Sequence, residues 1–139
     1  MKTIDPISKI MSKDIIALRR NDDLETAERL FKRHNIRHIP VVAGDVIIGM
    51  LSYTDLLRIS FAEAVYDDEE DIDSTVYNMF TIEQVMAKNM VTVRSDQSIR
   101  EVAEILAEKE FHALPVVDNG KLVGIVTTTD LMKYLLELI

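Results

Sequence analysis

Two short polar segments of this chain carry the residue types best suited to binding a ligand. Gly49-Met50-Leu51-Ser52-Tyr53-Thr54-Asp55 and Gly124-Ile125-Val126-Thr127-Thr128-Thr129-Asp130 each pass from apolar residues to a hydroxyl, with an aspartate three residues later. This spacing is typical of a capping box, in which side chains satisfy the free amides of a helix start. The same helix start can hold a phosphate, and the carboxylate can accept hydrogen bonds from two ribose hydroxyls. The residues leave both interpretations open.

A second pair of segments adds groups that suit a phosphate. Ile36-Arg37-His38-Ile39-Pro40 and Phe111-His112-Ala113-Leu114-Pro115 each precede an apolar Val-Val pair. Arginine binds phosphate through two parallel hydrogen bonds, and histidine is a donor that titrates near neutral pH. The alternative is a solvated Arg37, with the histidines bonded to backbone carbonyls. Because Ala113 stands where the first segment has His38, any two sites should differ in phosphate affinity.

These segments belong to an internal repeat. Met11 to Leu57 aligns with Met86 to Met132 at a constant shift of 75 residues and without a gap. Self-similarity at a fixed period indicates one structural unit used twice. Each copy has fewer than about 60 residues, a size at which a lone domain buries too little surface for robust stability. We therefore expect the two copies to fold together, with any cleft between them built twice.

Hydrophobic spacing predicts strand, helix, strand, strand, helix in each copy. The fold class is therefore α/β, with short sheets covered by helices and a pseudo-twofold relation between the copies. Proline is expected at the beginning or edge of its strand, and Asn-Gly predicts a tight hairpin turn. The predicted elements are Ile15–Leu18, Leu24–His34, Ile39–Val42, Val46–Leu51 and a helix after Thr54, then Met90–Val93, a helix from Ile99, Leu114–Val117, Leu122–Val126 and a helix after Thr127.

Composition narrows the function classes. The 139 residues include no cysteine, which excludes disulfides and thiol catalysis, and the net charge of −8 argues against nucleic acid as the main partner. No apolar run approaches the roughly 18 residues that span a bilayer, so we expect a cytoplasmic protein. The acidic run 67–71 with Asp73 is expected to be a solvated linker. No metal-ligand spacing, phosphate-binding loop or nucleophile elbow is present, so we expect no enzyme and no metal site.

Taken together in two copies at one register, these motifs resemble CBS domains, the regulatory module named after cystathionine beta-synthase. The tandem arrangement resembles a Bateman module. The matching elements are the strand near Ile16 or Val91, the Pro-Val-Val strand, the Gly-to-Asp segment and the closing helix. The resemblance covers roughly residues 5–60 and 80–139. It places CBS domain 1 at 1–62, an acidic connector at 63–80 and CBS domain 2 at 81–139.

The resemblance implies up to two sites for an adenosine-containing ligand in the cleft between the copies, with AMP, ADP or ATP expected first. The aspartates would hold the ribose, the hydroxyls would lie near phosphate or ribose, the residues before the Pro-Val-Val strand would approach phosphate, and apolar side chains would enclose adenine. By position these are Asp55 and Asp130 for ribose; Ser52, Thr54, Thr127 and Thr129 for the hydroxyls; Arg37, His38 and His112 for phosphate; and Ile16, Val91, Met50 and Ile125 for adenine.

We therefore expect a non-enzymatic ligand sensor that signals through altered module or dimer geometry to a separate effector protein. No catalytic cofactor is expected. The alternative is a ligand-free scaffold that dimerises or recruits a protein partner. A homodimer is expected from the family resemblance, and its surface would draw on Leu56, Leu57, Leu131, Leu135 and Leu136, which are equally good candidates for the core.

Overall fold

The computed structural model describes residues 5–64, 79–109 and 111–139 of the chain. They form two compact units, each of which is α/β. The first-copy unit comprises 16–64 and 79–89, and the second-copy unit comprises 5–15, 90–109 and 111–139. The acidic run 67–71, Asp73 and most of the predicted connector 63–80 lie outside the described residues.

In the first-copy unit the predicted order of elements is confirmed. Strand β1 pairs in parallel with β2, and β2 pairs antiparallel with β3. A further short helix, α3, follows the part of the chain that is not described. The elements are β1 (Leu18–Arg19), α1 (Leu24–His34), β2 (His38–Ala43), β3 (Val46–Ser52), α2 (Tyr53–Ala64) and α3 (Ile82–Val85).

The second-copy unit repeats this plan. A 3-10 turn at Ile7–Lys9 precedes it in the chain, and an antiparallel hairpin stands between two helices. Its turn residues Asn119 and Gly120 both have positive φ, 51° and 81°, as the predicted Asn-Gly turn requires. The elements are α4 (Ile99–Lys109), β4 (Ala113–Asp118), β5 (Lys121–Thr127) and α5 (Thr128–Leu138).

The first strand of each copy is shorter than predicted, and a proline explains why. Only Leu18–Arg19 pairs with β2, and in the second copy only Val93 pairs, through one bridge to Val116. Val93 N donates to the Pro115 carbonyl at 3.1 Å. The next bond of this parallel ladder would need an N–H at Pro115, which proline lacks. Pro115 and its equivalent Pro40 lie inside their strands. The strand of Pro115, β4, is the outermost strand of its sheet, which confirms the predicted edge position, whereas the strand of Pro40, β2, lies between β1 and β3.

Each unit is completed by the segment that precedes the other copy in the sequence. Ile82 is fully buried in the first-copy unit, and Ile7, at the equivalent repeat position, is fully buried in the second-copy unit. The segment from Ile82 then pairs with β3: Met50 N donates to the Ala87 carbonyl at 3.0 Å and Ala87 N to the Met50 carbonyl at 2.9 Å. Ser12 and Ile125 exchange the same two bonds, at 2.8 and 3.0 Å.

A methionine in each of these segments lies against a strand glycine. A Cβ at Gly49 would overlap the sulfur of Met86 and lie 2.7 Å from its Cγ. A Cβ at Gly124 would lie 2.6 Å from the Met11 sulfur. These distances are below van der Waals contact, so a Cβ at either glycine would force the methionine side chain to move.

Each unit has its own hydrophobic core, and the two cores use equivalent repeat positions. In both, the helix before the hairpin supplies one face and the hairpin strands supply the other. The first-copy core is Leu18, Leu24, Ala27, Phe31, Ile39, Val41, Leu51, Leu56, Ile82 and Met86. The second-copy core is Ile7, Val93, Ile99, Val102, Leu106, Leu114, Val116 and Val126.

One polar contact distinguishes the second copy. The Asp118 carboxylate at the end of β4 accepts hydrogen bonds from the Ser95 N–H at 3.0 Å and the Ser95 hydroxyl at 2.5 Å. The hydroxyl, followed by the backbone N–H, holds the pKa of Asp118 below its ordinary value of 3.8. The first copy has Ala43 and Arg20 at these positions, so its sequence has no equivalent clamp.

The glycine–methionine contact predicts a non-additive pair of substitutions. Gly49→Ala should lower the free energy of unfolding by about 1–3 kcal/mol, because the new methyl group overlaps Met86. The same change made in a Met86→Ala background should cost at least about 1 kcal/mol less. Urea unfolding of the four proteins measures both quantities. Gly44→Ala is the control, since Gly44 has φ +65° and open surroundings, and its cost should be equal in the two backgrounds. Additive losses for Gly49 and Met86 would contradict the contact.

The Asp118 clamp predicts a pH-dependent loss. Because folding lowers the pKa of Asp118, its contribution is complete above a pH of about 4 and is lost as pH falls through the folded-state pKa. Asp118→Asn should therefore lower the urea midpoint at pH 7, and the difference from the unsubstituted protein should shrink between pH 4 and pH 2. Asp45→Asn, an exposed turn residue, removes the same charge and should show no such trend. A difference that persists at pH 2 would rule out the clamp as its source.

Candidate ligand-binding site

The start of α2 gathers the polar residues of the first copy. The Ser52 hydroxyl accepts a hydrogen bond from Asp55 N at 3.0 Å, which caps the helix. Tyr53 N donates to the Arg37 carbonyl at 2.9 Å, and His38 pairs with Ser52 across the hairpin. The structure therefore brings the two predicted signatures of this copy together at one end of β2 and β3.

The start of α5 repeats this arrangement in the second copy. Thr127 and Asp130 form a reciprocal capping box: the Asp130 carboxylate accepts from Thr127 N at 2.9 Å, and the Thr127 hydroxyl accepts from Asp130 N at 3.2 Å. Thr128 N donates to the His112 carbonyl at 3.0 Å, and Ala113 pairs with Thr127. In the second copy, Ala113 therefore places a methyl group where the first copy has His38, as the alignment of the two copies indicated.

The capping interpretation is confirmed, and it leaves part of each helix start available to a ligand. The second N–H of a helix has no acceptor within the helix. The hydrogen bonds of the described residues give the N–H of Thr54 and of Thr129 no acceptor elsewhere. Both threonines are exposed, while Asp55 and Asp130 are half-buried. An anion or a hydroxyl-bearing ligand can therefore meet an N–H, a hydroxyl and a carboxylate at each helix start.

The two aspartates have different partners. Asp55 Oδ1 lies 3.3 Å from Arg58 Nη1, an ion pair one helical turn along α2. Asp130 instead turns one oxygen, Oδ2, back to the N–H of Thr127. Sequence analysis did not select Arg58, although the Asp-x-x-Arg spacing on a helix is a sufficient signal for such a pair.

The four apolar residues predicted to enclose adenine divide into two groups. Ile16, Met50 and Ile125 belong to neither core cluster of the described residues, whereas Val91 packs against the second-copy core. Ile16 and Val91 are half-buried and lie just before the first strand or bridge of their copy. Met50 and Ile125 lie two residues before Ser52 and Thr127, so they share a strand face with those hydroxyls.

Neither a metal-binding cluster nor a membrane-spanning helix is present among the described residues. Within 5–64, 79–109 and 111–139 there is no group of three or more histidine, aspartate or glutamate side chains placed to hold a metal ion. In the same ranges no helix is long and apolar enough to cross a membrane.

Both copies have the same hairpin and a helix start with hydroxyls and an aspartate at equivalent positions. Both also match the model of a known protein family. The model of the CBS domain matches residues 7–62 and again residues 82–137. The chain belongs to the CBS domain family. The CBS domain pair is matched over 98% of its length by the crystal structure of the CBS domain pair of protein MJ0100 in complex with 5′-methylthioadenosine and S-adenosyl-L-methionine. The two sequences are 26% identical, the match covers 99% of the MJ0100 chain, and the TM-score is 0.80.

Two further relatives extend the comparison. The structure of CBSX2 in complex with AMP gives a TM-score of 0.79 over 96% of this chain and 97% of CBSX2, at 21% identity, which shows a shared fold. The uncharacterized protein MJ1225 of Methanocaldococcus jannaschii is 26% identical over 129 residues, or 92% of this chain. The chain spans 46% of that protein and 22–24% of three further curated relatives.

Proposed function

We propose that this CBS domain pair is a non-enzymatic module that binds an adenosine-containing ligand and regulates a partner. The observation that carries the proposal is the repeated helix start, where an aspartate, two hydroxyls and a free N–H converge in each copy. The MJ0100 pair, which shares the fold over nearly its whole length, supports it because its two ligands have the adenosine group in common.

The residues suit the parts of such a ligand. Asp55 and Asp130 accept hydrogen bonds from the vicinal ribose hydroxyls, and the N–H and hydroxyl of Thr54 and Thr129 meet the sugar or its 5′ substituent. Ile125, half-buried and outside the core clusters, offers apolar surface to the base, whereas Met50 at the equivalent position is only 9% exposed and would have to move to contact it. That both copies contribute to each site stays a prediction.

The cationic residues favour a phosphorylated ligand. Arg37 and His38 stand beside the α2 start and His112 beside the α5 start. Charge-assisted hydrogen bonds contribute about 1.5–3 kcal/mol each, so a few of them with a partly buried base would give micromolar affinity, about −8 kcal/mol. We therefore expect AMP, ADP or ATP to bind more tightly than neutral adenosine derivatives. Such a ligand signals only if it binds one conformation of the module better than another.

A second candidate function, an interaction scaffold, is favoured by the outer face of α5. Met132, Leu135 and Leu136 are 62%, 47% and 68% exposed and follow i, i+3, i+4 spacing, so they form one apolar stripe. Lys133 and Glu137 border the stripe, and antiparallel pairing of two α5 helices would place these opposite charges side by side. We propose a second copy of the chain as the occupant.

The five leucines expected at a dimer surface differ in how deeply they are buried. Leu56 is fully buried and belongs to the first-copy core, and Leu131 is half-buried against the second-copy core, so neither is a surface candidate. Leu57 is 48% exposed, and Leu135 and Leu136 lie in the α5 stripe. Spacing alone could not divide them, because all five fall on helices with two apolar faces.

Ligand binding is tested by thermal shift and calorimetry on nucleotide-free protein. AMP, ADP, ATP, NAD, 5′-methylthioadenosine and S-adenosylmethionine are compared, and a ligand at a hundredfold excess over Kd should add about 2.7 kcal/mol of stability. Asp55→Ala and Asp130→Ala should each weaken binding at one site by tenfold or more. Glu101→Ala is the matched control, because it removes a cap partner of Ser98 on α4 outside the site. If no compound shifts the Tm, the sensor proposal fails and the scaffold remains.

The dimer is tested by sedimentation velocity at about 10–100 μM. The Leu135→Lys/Leu136→Lys double variant should shift the protein from dimer to monomer, because four lysines would face one another across the pairing. Val46→Lys, at a 51% exposed position on β3, is the matched control and should stay dimeric. A monomeric unsubstituted protein, or a double variant that remains dimeric, would exclude α5 as the interface.

A further inference from the structure

Asp55 and Asp130 occupy equivalent positions in the two copies but have different charged and polar neighbours. Asp55 is paired with Arg58, at 3.3 Å, while Asp130 closes its own capping box with Thr127. Lys133 stands at the repeat position of Arg58, and within the described residues no ion pair joins it to Asp130. One aspartate is therefore held beside a guanidinium and the other is held by a neutral backbone amide.

The Asp55–Arg58 pair is weak enough to be exchanged for a ligand. The Arg58 side chain is 74% exposed and that of Asp55 is 30% exposed. Exposed ion pairs contribute little to stability because water screens them and both side chains lose freedom. Ribose hydroxyls that approach Asp55 can therefore take over its acceptor capacity without a large cost.

When ribose hydroxyls displace Arg58 from Asp55, the positive charge of Arg58 stays beside the site. An arginine keeps its charge at every pH of interest, and its planar fork binds phosphate through two parallel hydrogen bonds. Arg58 lies one helical turn after Asp55, and the backbone carbonyl of Arg37 accepts a hydrogen bond from Tyr53 N at the same helix start. The Arg58 side chain is 74% exposed and so is free to turn from Asp55 toward a 5′ phosphate on a ribose bound there.

On the basis of the proposed function, we infer that Arg58 is a specificity-determining residue of the Asp55 site. It pairs with Asp55 before the ligand arrives and with an anionic 5′ substituent afterwards, so this site prefers nucleotides to neutral or cationic adenosine derivatives. The Asp130 site, with Ala113 in place of His38 and no paired arginine, discriminates less by charge. The two sites then select different members of one ligand class.

Calorimetry with AMP and neutral 5′-methylthioadenosine tests the inference. The measurements use an Asp130→Asn background, so that the Asp55 site is observed alone. Arg58→Ala should weaken AMP binding roughly tenfold, the size expected for one charged contact, while 5′-methylthioadenosine binds as before or slightly better. Arg58→Lys should restore part of the AMP affinity. Lys133→Ala is the matched control in the other copy and should change neither affinity at the Asp55 site.

The outcomes separate the inference from the function on which it rests. An equal loss for both compounds, no loss for AMP, or the same loss in Lys133→Ala would overturn the role of Arg58 and leave ligand binding intact. If the protein without the Arg58 change binds neither compound, the inference fails, and the proposed function fails with it only if the other four adenosine compounds also give no Tm shift. An unchanged Tm of ligand-free Arg58→Ala, expected for an exposed side chain, confirms that the fold is not the cause.

Discussion

The contact between a methionine and a strand glycine is the constraint on which each unit depends. Met86 over Gly49 and Met11 over Gly124 bring a short segment close enough to form a reciprocal pair of backbone hydrogen bonds with the strand. The same segments carry Ile82 and Ile7 into the cores. Units of this size have little apolar surface to spare, so a core residue supplied from outside the repeat copy is a substantial part of what holds each unit together.

The candidate site lies where regular pairing stops. Pro40 and Pro115 cannot extend the parallel ladder, so Ile16 and Val91 stay outside it, and at the same open end of each hairpin the caps turn the chain into α2 and α5. A strand end, a proline and a helix start therefore lie within a few residues of one another at that end of each hairpin. The residues that cap α2 and α5 are also those proposed to bind a ligand, so the observed caps do not argue against the proposed site.

The two copies share this framework and differ in charge. The first copy combines Arg37, His38 and the Asp55–Arg58 pair, whereas the second has His112, Ala113 and a closed capping box at Asp130. A duplicated module with two identical sites would report one ligand with more sensitivity. Under the proposed function, unequal sites would compare two ligands that share adenosine, which is a different regulatory task for the same fold.

The sequence by itself determined the element order, the helix caps, the Asn-Gly turn and the equivalence of the two copies, because each of these depends on residue spacing over a few positions. It also selected candidate site residues, and the hairpin brings Arg37, His38, Ser52 and Asp55 together at one end. Tertiary structure alone decided where the first strands stop, since a strand needs a partner and the partner contains a proline. It decided that Leu56 is buried while Leu57 and Leu136 are exposed. Those choices depend on which neighbour is nearest in space, and identical spacing in the two copies cannot distinguish them.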